Sequence, residues 1–394
     1  MPAKRALVID DGETAAALAG CRALAADGWA VGLGAPSRAT LTRSSRHVRD
    51  FHIVRSPEDD VEGFIADVGA ALKSGGHEVV FGSADAHVLA LSERRDQVPA
   101  TVPYADHDTV LRSFDKYELV KAAERAGLAV PRTEVATAEA LSSFTFPAVV
   151  KSRLQWALSS DRESAWLHTA VVEDAQQAEA LAAAMKDGGG DPVLQEKVSG
   201  QLMAFNVVVD RSHSVRARVQ QKSPRIYPPM VGSSARAVTV PIEQDLAEGV
   251  DSLMRDLGWF GMAQLQFLRT SEDDAPRLID LNGRFYGSLP LAAAAGCNLV
   301  AMWAALATDR EIQRPGPARV GARFQTLDSD VRRAVEERNG GLLGDLWSTI
   351  AFAPRAVHST WNSGDPFPAI RLAFRSVGRL LRKVLRWSPR SSTA

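Results

Sequence analysis

The chain has 394 residues, of which 45% are hydrophobic and 24% charged, with a formal net charge of −1. That length suits two to three compact units, and the near-neutral balance offers no charge excess for nucleic acid or a membrane. The two cysteines, Cys21 and Cys297, have neither metal-type spacing nor a disulfide framework, as expected of a cytoplasmic protein.

The opening Met-Pro-Ala-Lys-Arg runs into a short apolar strand, without the longer apolar stretch of a secretory signal. No run approaches the ~20 apolar residues of a membrane span. Strand patterns at Arg5–Ile9, Trp29–Leu33, Phe51–Val54 and Glu78–Phe81 alternate with helical patterns at Thr14–Ala26 and Asp59–Lys73. This alternation predicts a parallel sheet covered on both faces, Rossmann-like in outline. The first turn, Asp10-Asp11-Gly12-Glu13, excludes a dinucleotide, because its acids would repel a pyrophosphate at the helix N-terminus.

A helix at Asp115–Ala126 ends in Gly127 with Pro131 beyond it. Strands follow at Ala148–Lys151, Leu167–Val172 and Val193–Glu196, with an Ala-rich helix at Ala175–Lys186. Phe205–Val209 and the stretch around Arg216–Gln221 suggest a strand pair. Asp245–Leu257 suggests a helix, and Trp259–Leu268 and Arg277–Asn282 two more strands. The last sixty or so residues read as a looser extension.

Side chains alternate faces along a strand, so Gln264 and Gln266 share one face, as do Asp280 and Asn282. A carboxylate and a carboxamide at a strand end supply the hard oxygens that Mg²⁺ prefers. Arg284 follows at the spacing at which a guanidinium fork reaches a phosphoryl oxygen. The plain alternative is a strand end with ordinary polar residues. Lys151 closes the apolar run Pro147–Val150 and so sits at a sheet edge, whereas Lys116 alone would read as a solvated helix lysine.

Gly258–Phe267 followed by Arg277–Ser288 resembles the C-terminal half of ATP-grasp ligases. Asp115-Lys116 with the Pro131-Arg-Thr133 turn, Phe146–Lys151, and Val193–Gly200 resemble three further blocks of that family, in the family's order. The resemblance spans about Asp115 to Ala295. It implies an α/β chain with a Rossmann-like pre-ATP-grasp domain over residues 1–110 and an N-lobe with lid over 111–200. A C-lobe with the metal end would occupy 201–325, and a helical C-terminal extension 326–394.

The resemblance also implies ATP and Mg²⁺, with Lys116, Lys151, Gln195, Glu196, Lys197 and Val198 on the nucleotide and Asp280, Asn282 and Gln266 on the metal. Glu196 would accept from the adenine amino group. Arg284, Lys151 and Arg225 would act on the reacting groups. Arg225 lies in Arg216–Arg236, which resembles the anion-binding element of carboxylate–amine ligases; the anion there is either the γ-phosphate or a substrate carboxylate.

Two departures stand out. Gln266 occupies a place where the family usually has a metal-binding glutamate, and Ser152–Ser164 lacks the glycines of the usual lid. The readings left open are a carboxylate–amine ligase working on small molecules and a nucleotide binder without turnover. A carboxylating enzyme is a third, for which no carrier feature is found. From Phe367 to Trp387 six basic residues and no acid flank an apolar helical stripe. This predicts either packing on the protein itself or peripheral contact with anionic lipid.

Overall fold

The computed structural model describes residues 4–12, 14–154, 169–229, 232–312, 315–338 and 341–374. Its first unit is built from β1 (Arg5–Ile9), α1 (Ala16–Ala26), β2 (Ala30–Ala35), β3 (Val48–Ile53), α2 (Val61–Gly75), β4 (Val79–Gly82) and α3 (Asp85–Glu93). The strands form a parallel sheet of order β3-β2-β1-β4. Ala6 to Ile9 are all buried, as an apolar run covered on both faces must be. Two further helices, α4 (His107–Phe114) and α5 (Lys116–Arg125), lead out of this unit. Asp115 caps α5, its carboxylate accepting from the amides of Tyr117 and Glu118.

A small lobe follows: β5 (Thr133–Val135), α6 (Ala138–Ser143), β6 (Ala148–Ser152), β7 (Ala170–Val172), α7 (Ala175–Asp187) and β8 (Pro192–Glu196). Its antiparallel sheet, ordered β5-β8-β6-β7, has a core of its own that includes Phe144, Val150, Met185 and Leu194. The lid expected around Ser152–Ser164 lies mostly outside the described residues.

The remaining elements are β9 (Gln201–Val209), β10 (Val215–Tyr227), β11 (Ser233–Val240), α8 (Gln244–Leu257), β12 (Gly261–Arg269), β13 (Arg277–Asn282), α9 (Leu289–Ala294) and α10 (Leu299–Ala307). Then come β14 (Arg323–Gln325), α11 (Leu327–Glu337), α12 (Leu342–Phe352) and β15 (Ala356–His358). The large sheet runs β13-β12-β9-β10-β11-β14-β15. In α8, Leu246, Ala247, Val250, Leu253, Met254 and Leu257 are buried at helical spacing, which presses that face onto the sheet's core.

The first unit and the large sheet share one continuous core. Phe81 of β4 lies 4.7 Å from Trp303 of α10 and 5.7 Å from Phe285, just past β13. Such aromatic pairs contribute about 0.5–1.5 kcal/mol each beyond the area they bury. They join the N-terminal sheet to the end of β13.

The segment after residue 325, expected as a loose extension, is built into the fold. Its β15 pairs in parallel with β14. Asp365 is fully buried, accepting from Arg22 Nε at 2.9 Å and Ser45 Oγ at 2.6 Å in the first unit. A three-residue strand and a lone acid carry no periodic signal, which is why sequence patterning passes over them. Residues 367–374 are helical, and the rest of the basic stretch lies outside the described residues. Among the described residues no helix is long and apolar enough to cross a membrane.

Candidate active site

Between the small lobe and the large sheet lies a cavity of about 660 Å³, lined in part by Lys116, Lys151, Gln195, Gln266 and Asp280. On the same face a second cavity of about 830 Å³ is lined in part by Thr14, Ser233, Gln264, Asn282, Arg284 and Ser288. Gln266 borders both.

The strand register creates this arrangement. Gln266 pairs with Asp280, and Gln264 with Asn282, across the antiparallel β12–β13 ladder. Directly paired residues project from the same face, so the expected oxygen donors converge. The backbone of Gly283 then passes close to Trp259: a Cβ at this position would lie 2.4 Å from the indole. Only glycine lets the chain hug that buried ring and turn Arg284 toward the first unit.

At the charged end, Lys116 at the start of α5 forms an ion pair with Asp280. Burial works against the Asp280 carboxylate, but Lys116, Lys151 and Arg284 outweigh it and hold the group below the ordinary carboxylate range. Lys151 Nζ donates to Gln195 Oε1 at 2.9 Å, and Gln195 in turn donates to Thr133 Oγ1 at 2.9 Å. Burial, with the neighbouring Lys116, pushes the Lys151 ammonium down to about 7. Arg153 fixes the approach of the two lysines: its guanidinium bonds Asp115, 2.8 Å from Nε, and its carbonyl accepts from the Lys116 amide at 2.9 Å.

Arg284 donates through Nε to Asp85 at 2.6 Å. Burial disfavours the guanidinium's charge, yet Asp85 and Asp280 more than compensate and raise it above its usual value. Asp85 begins α3 in the first unit, more than 190 residues upstream, and nothing in its local sequence announces the role.

Two expectations are corrected. Glu196 lines the cavity, but its carboxylate is already engaged, accepting from Arg277 at 2.5 Å and from the Arg132 amide at 3.2 Å. Lys197 and Val198, just past the end of β8, line the cavity beside it. Arg225 does not join the reacting groups. It lies in a buried cluster, 3.1 Å from Asp330 and 2.8 Å from Asp345, with Arg236 on the other oxygen of Asp330. Arg216 and Arg218 are likewise paired, with Asp210 and Asp251. From the same stretch Ser233 and Ser234 do reach the second cavity. Arg225 and Arg236 are drawn away because α11 and α12, within the stretch expected only as a helical extension, carry the buried acids Asp330 and Asp345.

Sequence reasoning also passed over an amide network floor. Gln264 Nε2 donates to Asn206 Oδ1 at 3.2 Å, and Gln221 Nε2 to Ser288 Oγ at 2.9 Å. Asn206 is a buried polar residue inside a strand that is otherwise largely apolar, a signal that was available, whereas Gln221 sits in a mixed strand that gave none. Arg333 and Glu337 of α11 line the first cavity, so the extension contributes to it.

Two lobes gripping a cavity at the edge of a large antiparallel sheet, behind a parallel α/β unit, constitute the ATP-grasp fold. Residues 203–329 match the family described as ATP-grasp in the biosynthetic pathway with Ter operon. Biotin carboxylase of Campylobacter jejuni in a beta-gamma-ATP complex is similar, with 13% identity and a TM-score of 0.62, over 81% of this chain and 74% of that one. N5-carboxyaminoimidazole synthetase of Staphylococcus aureus has 12% identity and a TM-score of 0.60, over 79% and 78%. The L-amino acid ligase of Bacillus licheniformis has 13% identity and a TM-score of 0.58, over 79% and 75%. At such identities the likeness is one of fold. No curated protein sequence matches the chain.

Proposed function

We propose that the protein is an ATP-dependent carboxylate–amine ligase. The observation that carries this reading is Gln266 with its register partner Asp280, standing where the two cavities meet. A nucleotide in the first cavity would present its terminal phosphate to an acid in the second. A substrate carboxylate oxygen attacks the γ-phosphorus, the bond to the bridging oxygen breaks, and ADP departs. The amine then attacks the acyl carbon, and phosphate leaves with the former carboxylate oxygen.

Lys151 and Lys116 would neutralise the phosphate charge in this sequence, and Arg284 the acyl-phosphate oxygens. Gln195 orients Lys151, and Asp85 orients Arg284. The side-chain oxygens of Asp280, Asn282 and Gln266 fit a single Mg²⁺, with one charge among them. Such an ion would offset the charge of the phosphate oxygens when bound. ADP release with Mg–ATP, screened across amino acids and small carboxylates, tests the proposal; no release with any pair would overturn it. Asp280→Asn should lower turnover by roughly 10²-fold or more, by analogy with the loss of one electrostatic stabiliser.

The single carboxylate also supports a second reading, a nucleotide binder without turnover that is recruited to a surface. Phe367, Ile370 and Phe374 are exposed at helical spacing on the described part of the basic helix. Sedimentation with phosphatidylserine-containing vesicles, compared with a chain ending at 366, tests the recruitment. Equal binding by both forms would end it.

A further inference from the structure

We infer that Asp50, His52 and His77 form a binding site for a divalent transition ion of the zinc class, within the N-terminal unit. None of the three lines either cavity of the active site.

Asp50 and His52 stand two apart on β3, while His77 lies between α2 and β4, its amide anchored on the Leu72 carbonyl at 3.0 Å. The Nε2 atoms of His52 and His77 lie 2.7 Å and 2.9 Å from the same carboxylate oxygen, Asp50 Oδ2. One ligand atom from each of the three residues falls within 4.8 Å of the others. Two imidazole nitrogens and one carboxylate oxygen are a donor set suited to zinc and its neighbours rather than to magnesium. Arg5 contacts the other oxygen, Oδ1, at 3.4 Å. It leaves Oδ2 turned toward the imidazoles, as the outer partner of a metal ligand does.

A separate observation concerns the space around these atoms. A Cβ on Gly75 would lie 2.0 Å from His77 Nε2 and 2.8 Å from Asp50 Oδ2. On Gly32 it would lie 2.4 Å and 2.9 Å from the same two atoms. Neither glycine has a positive φ, so conformation does not demand them. Gly32 is inside a strand and Gly75 ends a helix, both positions where glycine weakens the element. What the two share is clearance at the converging ligand atoms.

The side chain of His77 is wholly buried, whereas those of Asp50 and His52 keep 27% and 16% of their exposure, so an ion can enter from solvent. A water would complete a four-coordinate shell. Bound there, the ion ties the edge strand β3 to the α2–β4 turn and stabilises the folded chain by mass action.

The test is calorimetric titration of the chelator-treated full chain with Zn²⁺ in the absence of nucleotide. One ion per chain is expected, with a rise in Tm. Asp280→Asn should keep this binding, while His52→Ala and Asp50→Asn should weaken it by roughly tenfold or more. Loading with Co²⁺ in place of Zn²⁺ should give the visible absorption of a four-coordinate nitrogen–oxygen site in the unmutated protein, whether or not the variants fold. Absence of stoichiometric Zn²⁺ binding and of that spectrum would show the trio to be a hydrogen-bonded pivot only. Binding unchanged in both folded variants would likewise overturn the site.

Discussion

Gln266 lies directly opposite Asp280 in the β12–β13 ladder, so an uncharged amide faces the carboxylate at the junction of the two cavities. The charge at this junction therefore sets how strongly a divalent ion is held, because ligand charge count tunes affinity for hard cations. In Gln266→Glu a second carboxylate joins Asp280, with Lys116 and Lys151 near enough to offset the repulsion. The expected outcome is roughly tenfold tighter apparent Mg²⁺ dependence of ATP binding or turnover. A magnesium titration unchanged by the substitution would remove Gln266 from the metal end.

The proposed nucleotide binding should depend on pH through Lys151. Its ammonium titrates at about 7, against 10.5 for an ordinary lysine. Between those values the unfolded chain holds a proton that the native protein lacks, so this group's contribution to stability increases as pH rises through that window. Triphosphate beside Lys151 favours the charged form and raises its pKa. Binding of ATP at pH 8 should therefore take up close to one proton, and affinity should fall as pH rises above 7. Calorimetry in buffers of differing ionisation enthalpy measures the uptake, and Lys151→Met should abolish it.

Asp85 positions Arg284 from the far side of the core. Asp85→Asn leaves a largely buried guanidinium without its countercharge. A stability loss of roughly 2 kcal/mol is expected, at the middle of the range for hydrogen bonds to charged groups. Turnover should fall while ATP affinity stays near normal, because Arg284 lines the second cavity rather than the first. A loss of ATP affinity that exceeds the loss in turnover would contradict this division.

Arg225 and Asp330 belong to stability rather than chemistry. Asp330 is fully buried and serves Arg225, Arg236 and Gln325 together. Removing the carboxylate in Asp330→Ala should cost about 3 kcal/mol, the lower end for an uncompensated buried charge. The urea midpoint reads this directly. A folded Arg225→Met protein with a normal midpoint and no turnover would return Arg225 to the reacting groups.

The half of the site around Lys151 and Asp280 was legible because its residues are bound to local patterns. Lys151 ends an apolar strand, and Asp115 caps the helix that begins with Lys116. Asp280 and Asn282 alternate along β13, while Gln264 and Gln266 alternate along β12. Period-two alternation decides which side chains share a face before any partner is known. The parallel first sheet followed from the same kind of reasoning, since four short apolar runs separated by amphipathic helices have few other ways to be buried.

Pairing was the part that local pattern left open. Glu196 and Arg225 have the right chemistry for a nucleotide site, but each had a stronger claim from a partner distant in sequence: Arg277 for one, Asp330 and Asp345 for the other. Asp85 with Arg284, and the Asp50, His52 and His77 trio, also arise only once the sheet has closed. Periodicity thus determined the parallel first sheet and the face on which the donors lie, while the larger two-lobed arrangement was expected only from the resemblance of its motifs. Tertiary structure alone decided which charges remain free to meet a ligand, because an ion pair depends on distance in space, and the chain's order does not encode that distance locally.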